Sequence, residues 1–369
     1  MSRLCLALAG VLLAGSNVWA QFGGLTKVLD KAKSFSDLHI SDEDEQALGA
    51  AISQNIRNLY GVQQDEAATR YMTLVGRVLA EKSSRPGLDW HFIVLDSDST
   101  NAFAAPGGYI HITRGALALM KSEAELAGVL AHEIAHVTEK HTIKGLQKMK
   151  GIKLADDQTT LTGNSQVFQA IADKATEAVL QGFGRAEELE SDQVGVQLAA
   201  QCRYAPSGLS DFLEALRERY AQRQHRAGLF ASHPEMSERL DKLAKLVEKK
   251  QLAREATVSL PDRFKQNISY QLAAFVGTGE AVEGAKGMAQ GEGKEEKTEK
   301  GKSGGSPLAK LKNPFGSGKR EQRAEVTGSA AARGVETELG IEQPGNPALV
   351  KVSVSAQDIK AFKQQGGLA

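Results

Sequence analysis

The chain has 369 residues, with 45 Lys and Arg against 45 Asp and Glu, and 41% of it is hydrophobic. That is enough chain and apolar content for one sizeable domain plus appendages. The balanced charge excludes a reading in which bulk positive potential gathers nucleic acid.

Residues 1–20 read as a secretory leader. Arg3 gives a positive start, Leu4 to Ala14 an apolar stretch, and Val18-Trp19-Ala20 a small-residue cleavage site before Gln21. The apolar stretch is shorter than the ~20 residues a membrane span requires, and no other segment approaches that length, so an integral span is not expected. Cys5 lies too early in the leader to carry a lipid, and only Cys202 is left after cleavage. With one cysteine no internal disulfide can form, and an exported, soluble protein of the periplasm is the expectation.

After a short polar lead, residues 41–82 read as helical, with Leu48, Ile52, Ile56 and Leu59 on one face. Residues 90–95 (WHFIVL) and 108–113 (GYIHIT) read as strands joined by a loop over 101–107. The second alternates Tyr109 and His111 with Ile110 and Ile112, the pattern of a half-buried edge strand. Ser122 and Glu125 then have capping-box spacing, and Leu126, Val129, Leu130 and Ile134 supply the apolar face of a helix. No Gly or Pro interrupts the run from His132 to Lys144.

Within that helix, His132-Glu133-Ile134-Ala135-His136 is an HExxH motif. Histidines four positions apart on an α-helix project within about 40° of each other and one turn apart, so both can grip one metal ion. Glu133 lies beside them, free to handle a proton on water. The competing reading is a buried helix whose histidines only satisfy core hydrogen bonds. A catalytic zinc site usually takes a third protein ligand and leaves a fourth position open. His141 fails on geometry, because nine residues beyond His132 it falls on the opposite side of the helix. The longer motif HExxHxxGxxH is absent, since Glu139 and Thr142 stand at its Gly and His positions. The better source is the segment RAEELESD over residues 185–192, where Glu188 and Asp192 share a helical face. One of these carboxylates can ligate the metal while the other accepts a hydrogen bond from a ligating histidine.

Residues 145–184 are less legible. Gly163 and Asn164 suggest a break, a helix follows over 166–180, and Gly182-Phe183-Gly184 supplies a joint, so the segment reads as a lid or as a plain connector. Ala205-Pro206 ends the acidic helix, and further helices are predicted over 209–219 and 235–249. Residues 277–334 are rich in Gly, Lys, Glu and Ser and read as a disordered tether. Residues 348–362 read as a strand-like alternation and a short helix, which adds a strand to the main domain or to a partner. The division is thus a leader over 1–20, a main domain over 21–252, an uncertain extension over 253–276, the tether over 277–334 and a C-terminal segment over 335–369.

The two motifs together, about fifty residues apart, carry a resemblance. Residues 40–246 resemble the gluzincin zinc endopeptidases that include the CAAX prenyl proteases, the HtpX heat-shock proteases and the soluble periplasmic BepA-like enzymes. The matching stretches are SDEDEQALG (41–49), NAFAAPGGYIHITRG (101–115), ELAGVLAHEIAHVTEKH (125–141), ELESD (188–192) and SHPEMSERL (232–240). The resemblance implies one zinc ion per chain on His132, His136 and Glu188, with Glu133 as catalytic base and Asp192 holding a ligating histidine. Ser191 departs from the usual Ala, which should be harmless because Ser is barely larger. His233-Pro234 and Arg239 resemble a late motif whose histidine stabilises the oxyanion or caps the metal. The plainer alternative is a histidine that starts the next helix. An edge strand lies over the cleft in such enzymes, so Gly108, Tyr109 and Ile110 are expected to bind the substrate backbone by strand addition.

The implied fold is α+β, a mostly helical gluzincin domain with a small β-sheet followed by a disordered tail. The implied activity is endopeptidase cleavage of misfolded or stalled envelope proteins, with peripheral association with the outer-membrane assembly machinery. No tetratricopeptide-like period occurs, so the repeat domain of BepA-like enzymes is not expected. A different class is also open: an envelope chaperone-like protein with a structural zinc and little proteolysis, against which stands Glu133, for which a structural site has no use.

Overall fold

The computed structural model describes residues 33–34, 40–148, 153–154, 165–221, 236–253, 257–273 and 345–369. The leader, the tether over 277–334, the Gly163-Asn164 break and His233-Pro234 lie outside these residues.

The expected single helix over 41–82 is two helices. Helix α1 (Asp42–Tyr60) is capped by the Ser41 hydroxyl, which accepts the Asp44 N–H at 3.1 Å. Its first turn carries four acidic residues, which suit the positive end of the helix dipole. It stops where Gly61 takes a φ of 74°, and Asp65 caps a fresh start for α2 (Glu66–Lys82) through the Ala68 N–H at 2.9 Å. The apolar face of α1 is also shifted from the expectation. Leu48, Ile52 and Ile56 are buried, but the next step of four reaches Tyr60, and Leu59 is 38% exposed.

A three-stranded sheet follows: β1 (His91–Leu95), β2 (Ala102–Ala105) and β3 (Tyr109–Thr113). Its order is β1-β3-β2, with β1 parallel and β2 antiparallel to β3. Two expectations change here. Residues 102–105 are a strand and not a loop, because this run of small and aromatic residues pairs from Ala102↔Ile112 to Ala105↔Tyr109. The strand 109–113 is central and not an edge, since Ile110 pairs with Phe92 on one side and Ala104 on the other. Its backbone groups face neighbours on both sides, so Tyr109 and Ile110 offer no open edge for strand addition, and Gly108 lies in the turn before the strand. The Ile110 side chain is in the core as well. Among the described residues no strand pairs with the outer edge of β2. The turn between β2 and β3 depends on Gly107 and Gly108, with φ of 71° and 97°. A Cβ on Gly107 would lie 2.7 Å from Gln46 Cα, so only glycine fits against α1.

After the short α3 (Arg114–Leu119) comes α4 (Glu123–Thr138), the HExxH helix. Ser122 caps it by accepting the Glu125 N–H, and every residue from Glu123 to Val137 is buried. Against it pack α2, α5 (His141–Lys148), α7 (Arg185–Gln201) and α8 (Gly208–Tyr220), while α6 (Ser165–Gln181) lies on α1 and α9 (Met236–Lys250) on α7 and α8. No helix of the described residues is long and apolar enough to cross a membrane.

The fold continues past the end of the resemblance. In α10 (Pro261–Asn267), Phe264 is buried against Tyr71, and Arg263 pairs with the buried Glu123 at the start of α4, with Nε–Oε2 at 2.6 Å. Tyr71 and Tyr204 donate to the same carboxylate at 2.7 Å each. The C-terminal segment docks on this corner. Asn346 C=O accepts the Val62 N–H at 2.7 Å, and α11 (Ala356–Gly366) buries Ile359 and Phe362. The Phe362 ring lies 4.0 Å beneath the Arg263 guanidinium. No strand occurs over 345–355; this stretch attaches to the main body through scattered hydrogen bonds instead of a ladder.

Glu45 ties α1 to the end of the HExxH helix. It is 1% exposed and receives Arg85 Nη1 at 2.6 Å, Lys140 Nζ at 2.9 Å and the Gly107 N–H at 3.3 Å. Burial alone would raise its pKa, but Arg85 and Lys140 outweigh burial and hold it below the usual range. A depressed folded-state pKa stabilises above the unfolded value of about 4.3, and the contribution fades as pH falls through the folded value. Glu45→Gln should therefore cost about 2 kcal/mol near neutrality, discounted from buried pairs because both cations reach solvent. In urea titrations of both proteins, the gap should close as pH falls below about 4; a gap independent of pH would remove the ion-pair explanation.

Candidate metal centre

Helix α4 delivers His132, Glu133 and His136 from its last two turns, and α7 crosses it to deliver Glu188 and Asp192. The crossing is close because Gly195 faces α4: a Cβ there would lie 2.8 Å from the His132 backbone nitrogen. His132, His136 and Glu188 are all buried, and one ligand atom from each lies within 4.8 Å of the others. The spacings are His132 Nε2 to His136 Nε2 3.0 Å, His132 Nε2 to Glu188 Oε2 3.5 Å and His136 Nε2 to Glu188 Oε1 3.4 Å.

These distances test whether a metal fits. A tetrahedral ion with arms of about 2.0–2.1 Å has ligand atoms about 3.3–3.4 Å apart; the imidazole nitrogens are 3.0 Å apart and each faces a different Glu188 oxygen at 3.4–3.5 Å, so the carboxylate sits where one of its oxygens can complete the set. Two imidazole nitrogens and a carboxylate oxygen on three corners of one tetrahedron are the donor set of a catalytic zinc.

Each ligand is held from behind. His132 Nδ1 lies 3.0 Å from Asp192 Oδ1, close enough for the carboxylate to hold the ring with Nε2 turned towards the metal position. Arg239 grips Asp192 at 2.8 and 2.6 Å and also reaches Glu188 Oε2 at 3.0 Å, so one buried guanidinium orients both acidic groups of α7. Burial would raise the Asp192 carboxyl, but Arg239 and His132 hold it at about 2. Burial disfavours charge on His132, yet Asp192 and Glu188 push its pKa up to about 9. On His136 burial prevails over Glu188, and the pKa falls well below the usual value. Phe183 stacks on the His136 ring at 4.1 Å between centroids and 19° between planes.

The helix does not run on from His132 to Lys144. It ends at Thr138, and Lys140 takes a φ of 55° that starts α5 in a new direction. His141 is therefore turned back onto the site: its Nδ1 lies 2.9 Å from His136 Nδ1. It is not among the three residues whose ligand atoms converge, and the continuous helix on which its exclusion rested is not what forms. Ser191, expected to be inert, has its Oγ 3.4 Å from His141 Nδ1. Sequence reasoning missed the positions of Arg239, Phe183 and His141. Arg239 stands in the late motif without an assigned task; its i, i+3, i+7 spacing with Met236 and Leu243 puts it on the buried face of α9, a signal its charge obscures.

Asp192→Asn should weaken zinc binding roughly 10–100-fold in a chelator competition, because the amide cannot replace the charge that His132 and Arg239 both face. Unchanged affinity would reduce Asp192 to a structural partner of Arg239.

Residues 66–247 match the model of peptidase family M48. The chain is 24% identical over 215 residues to the beta-barrel assembly-enhancing protease of Yersinia pestis, covering 54% of this chain and 43% of that protein. It is 26% identical over 256 residues to the mitochondrial metalloendopeptidase OMA1 of Schizosaccharomyces pombe, covering 67% and 74%. An Arabidopsis thaliana metalloendopeptidase OMA1 matches at 30% identity over 128 residues, covering 34% of this chain and 26% of that protein. The chain thus spans less than half the length of the assembly-enhancing protease. The fold and the trio define a buried metal site of peptidase type. With the family match, the chain carries a peptidase family M48 domain.

Proposed function

We propose that this protein is a zinc-dependent endopeptidase, exported to the periplasm, that cleaves misfolded or stalled proteins of the cell envelope. The observation that carries the reading is the buried convergence of His132, His136 and Glu188, with one ligand atom from each within 4.8 Å of the others and Glu133 buried on the same helix. When bound, zinc supplies a Lewis acid that polarises a carbonyl oxygen and acidifies water. Glu133 accepts the proton of the attacking water and returns it to the departing amine nitrogen. Asp192 and Arg239 keep His132 and Glu188 aimed during this exchange. Phe183 closes one side of His136 against water, which strengthens every charge interaction within.

Among the described residues no strand pairs with the outer edge of β2, whose end lies near His136 and Val137, but Ala102–Ala105 are buried and the gap between them and the metal-binding helix leaves no room for a peptide, so the substrate-binding surface is not assigned to this edge. The likeness to the beta-barrel assembly-enhancing protease supports an association with beta-barrel assembly. Export is supported by the character of residues 1–20. His233 remains the candidate to stabilise the oxyanion or to cap the metal.

The substrate assignment is tested by affinity capture on a Glu133→Gln variant, which should retain uncleaved substrate. Recovery of envelope proteins that the Glu133→Gln, Glu188→Ala double variant fails to hold is expected. An equal set on both proteins would contradict it.

A further inference from the structure

The reading of His136 as a metal ligand leaves its second ring nitrogen to be accounted for. For His132 the corresponding nitrogen faces Asp192, whereas for His136 the described residues place a different kind of group there. It is another imidazole: His141 Nδ1 lies 2.9 Å from His136 Nδ1, and His141 Nε2 lies 3.1 Å from Glu190 Oε2. Both rings are buried, whereas the Glu190 side chain is 49% exposed. The rings meet edge to face, 4.9 Å apart and at 72°, while Phe183 covers a face of His136.

We propose that His141, oriented by Glu190, is the positioning residue that fixes the tautomer and direction of His136 for metal binding. The hydrogen bonds allow one consistent polarity. If His136 Nε2 presents its lone pair to the metal, its proton is on Nδ1, and Nδ1–H donates to His141 Nδ1. The His141 proton is then on Nε2, where it donates to Glu190 Oε2. The wrong His136 tautomer would point N–H at the metal and lone pair at lone pair across the 2.9 Å contact. A carboxylate holds the His132 ring directly; His136 is held through one intervening ring. The left-handed Lys140 is what makes this arrangement reachable, because it ends α4 and lets His141 fold back.

The inference rests on the metal-ligand reading, and a volume-matched pair of variants separates the two. His141→Met fills the same space without an acceptor of comparable strength. His141→Gln offers an amide oxygen to His136 and an amide N–H to Glu190. The readouts are zinc affinity by chelator competition and the visible absorption spectrum of the cobalt-substituted full chain. His141→Met should bind zinc roughly 10–100-fold more weakly and change the cobalt spectrum, while His141→Gln should recover most of the affinity. Glu190→Ala, at a half-exposed position, should weaken binding in the same direction by less. Wild-type affinity and spectrum in His141→Met, or equal loss in Met and Gln, would overturn the proposal. Should His141→Met not fold, unchanged affinity in Glu190→Ala would overturn it instead, and reduced affinity would support it. A wild-type chain that binds no zinc would defeat the metal-ligand reading itself.

Discussion

Replacing Glu133 by Gln should lower kcat for peptide hydrolysis by on the order of 10²–10⁴-fold, the range typical of a lost general acid-base group, while zinc stays near one per chain. The two halves of this result come from different atoms. Glu133 is on the metal-binding helix and buried, but it is not one of the three residues whose ligand atoms converge. Gln has the same shape and cannot take a proton from water, so the helix and trio should be unaltered. Steady-state kinetics on an unfolded protein substrate, with metal analysis of the same preparation, checks both. Loss of zinc along with activity would make Glu133 a ligand or a packing residue, and retention of activity would place the base elsewhere.

Glu188→Ala should lose most of its zinc. Four-ligand structural sites reach apparent binding energies of about 10–16 kcal/mol, so each ligand is worth roughly a few kcal/mol and its removal on the order of 10²–10³-fold in affinity. The variant also takes one of two carboxylates from the buried Arg239, although Asp192 keeps its paired contacts. Metal-free melting temperature should therefore fall modestly beside the large loss of zinc. Glu187→Ala is the matched control: it is one position earlier on α7 and pairs with Lys148 at 3.4 Å, away from the trio. Zinc retained in Glu188→Ala but lost in Glu187→Ala would show that the wrong face of α7 had been assigned.

The convergence of His132, His136 and Glu188 was legible because each position rests on a local rule. A spacing of four in His132/His136 and Glu188/Asp192 fixes a shared helical face wherever the helices lie, and the Ser122 cap locates the start of α4 from its own residues. What failed depended on chain reversals or tertiary pairing. Alternation in 109–113 says that one face differs from the other, but not whether both edges are paired, and a four-residue strand such as Ala102–Ala105 is too short to show a period. The stop at Thr138 has no Gly or Pro to announce it; it depends on Lys140 adopting a left-handed conformation beside Glu45, which sequence periodicity does not encode. Arg239 illustrates the same limit for electrostatics, since charged residues on a helix are ordinarily solvated and only the packing of α9 on α7 puts this one between Asp192 and Glu188.

Casein cleavage by the purified chain, measured alongside zinc content before chelation, after chelation and after zinc is restored, tests the central claim most directly. Cleavage should fall to background when the metal is removed and return as zinc approaches one per chain. Cleavage that persists without metal, or a fully zinc-loaded protein that binds casein and never cuts it, would contradict the account.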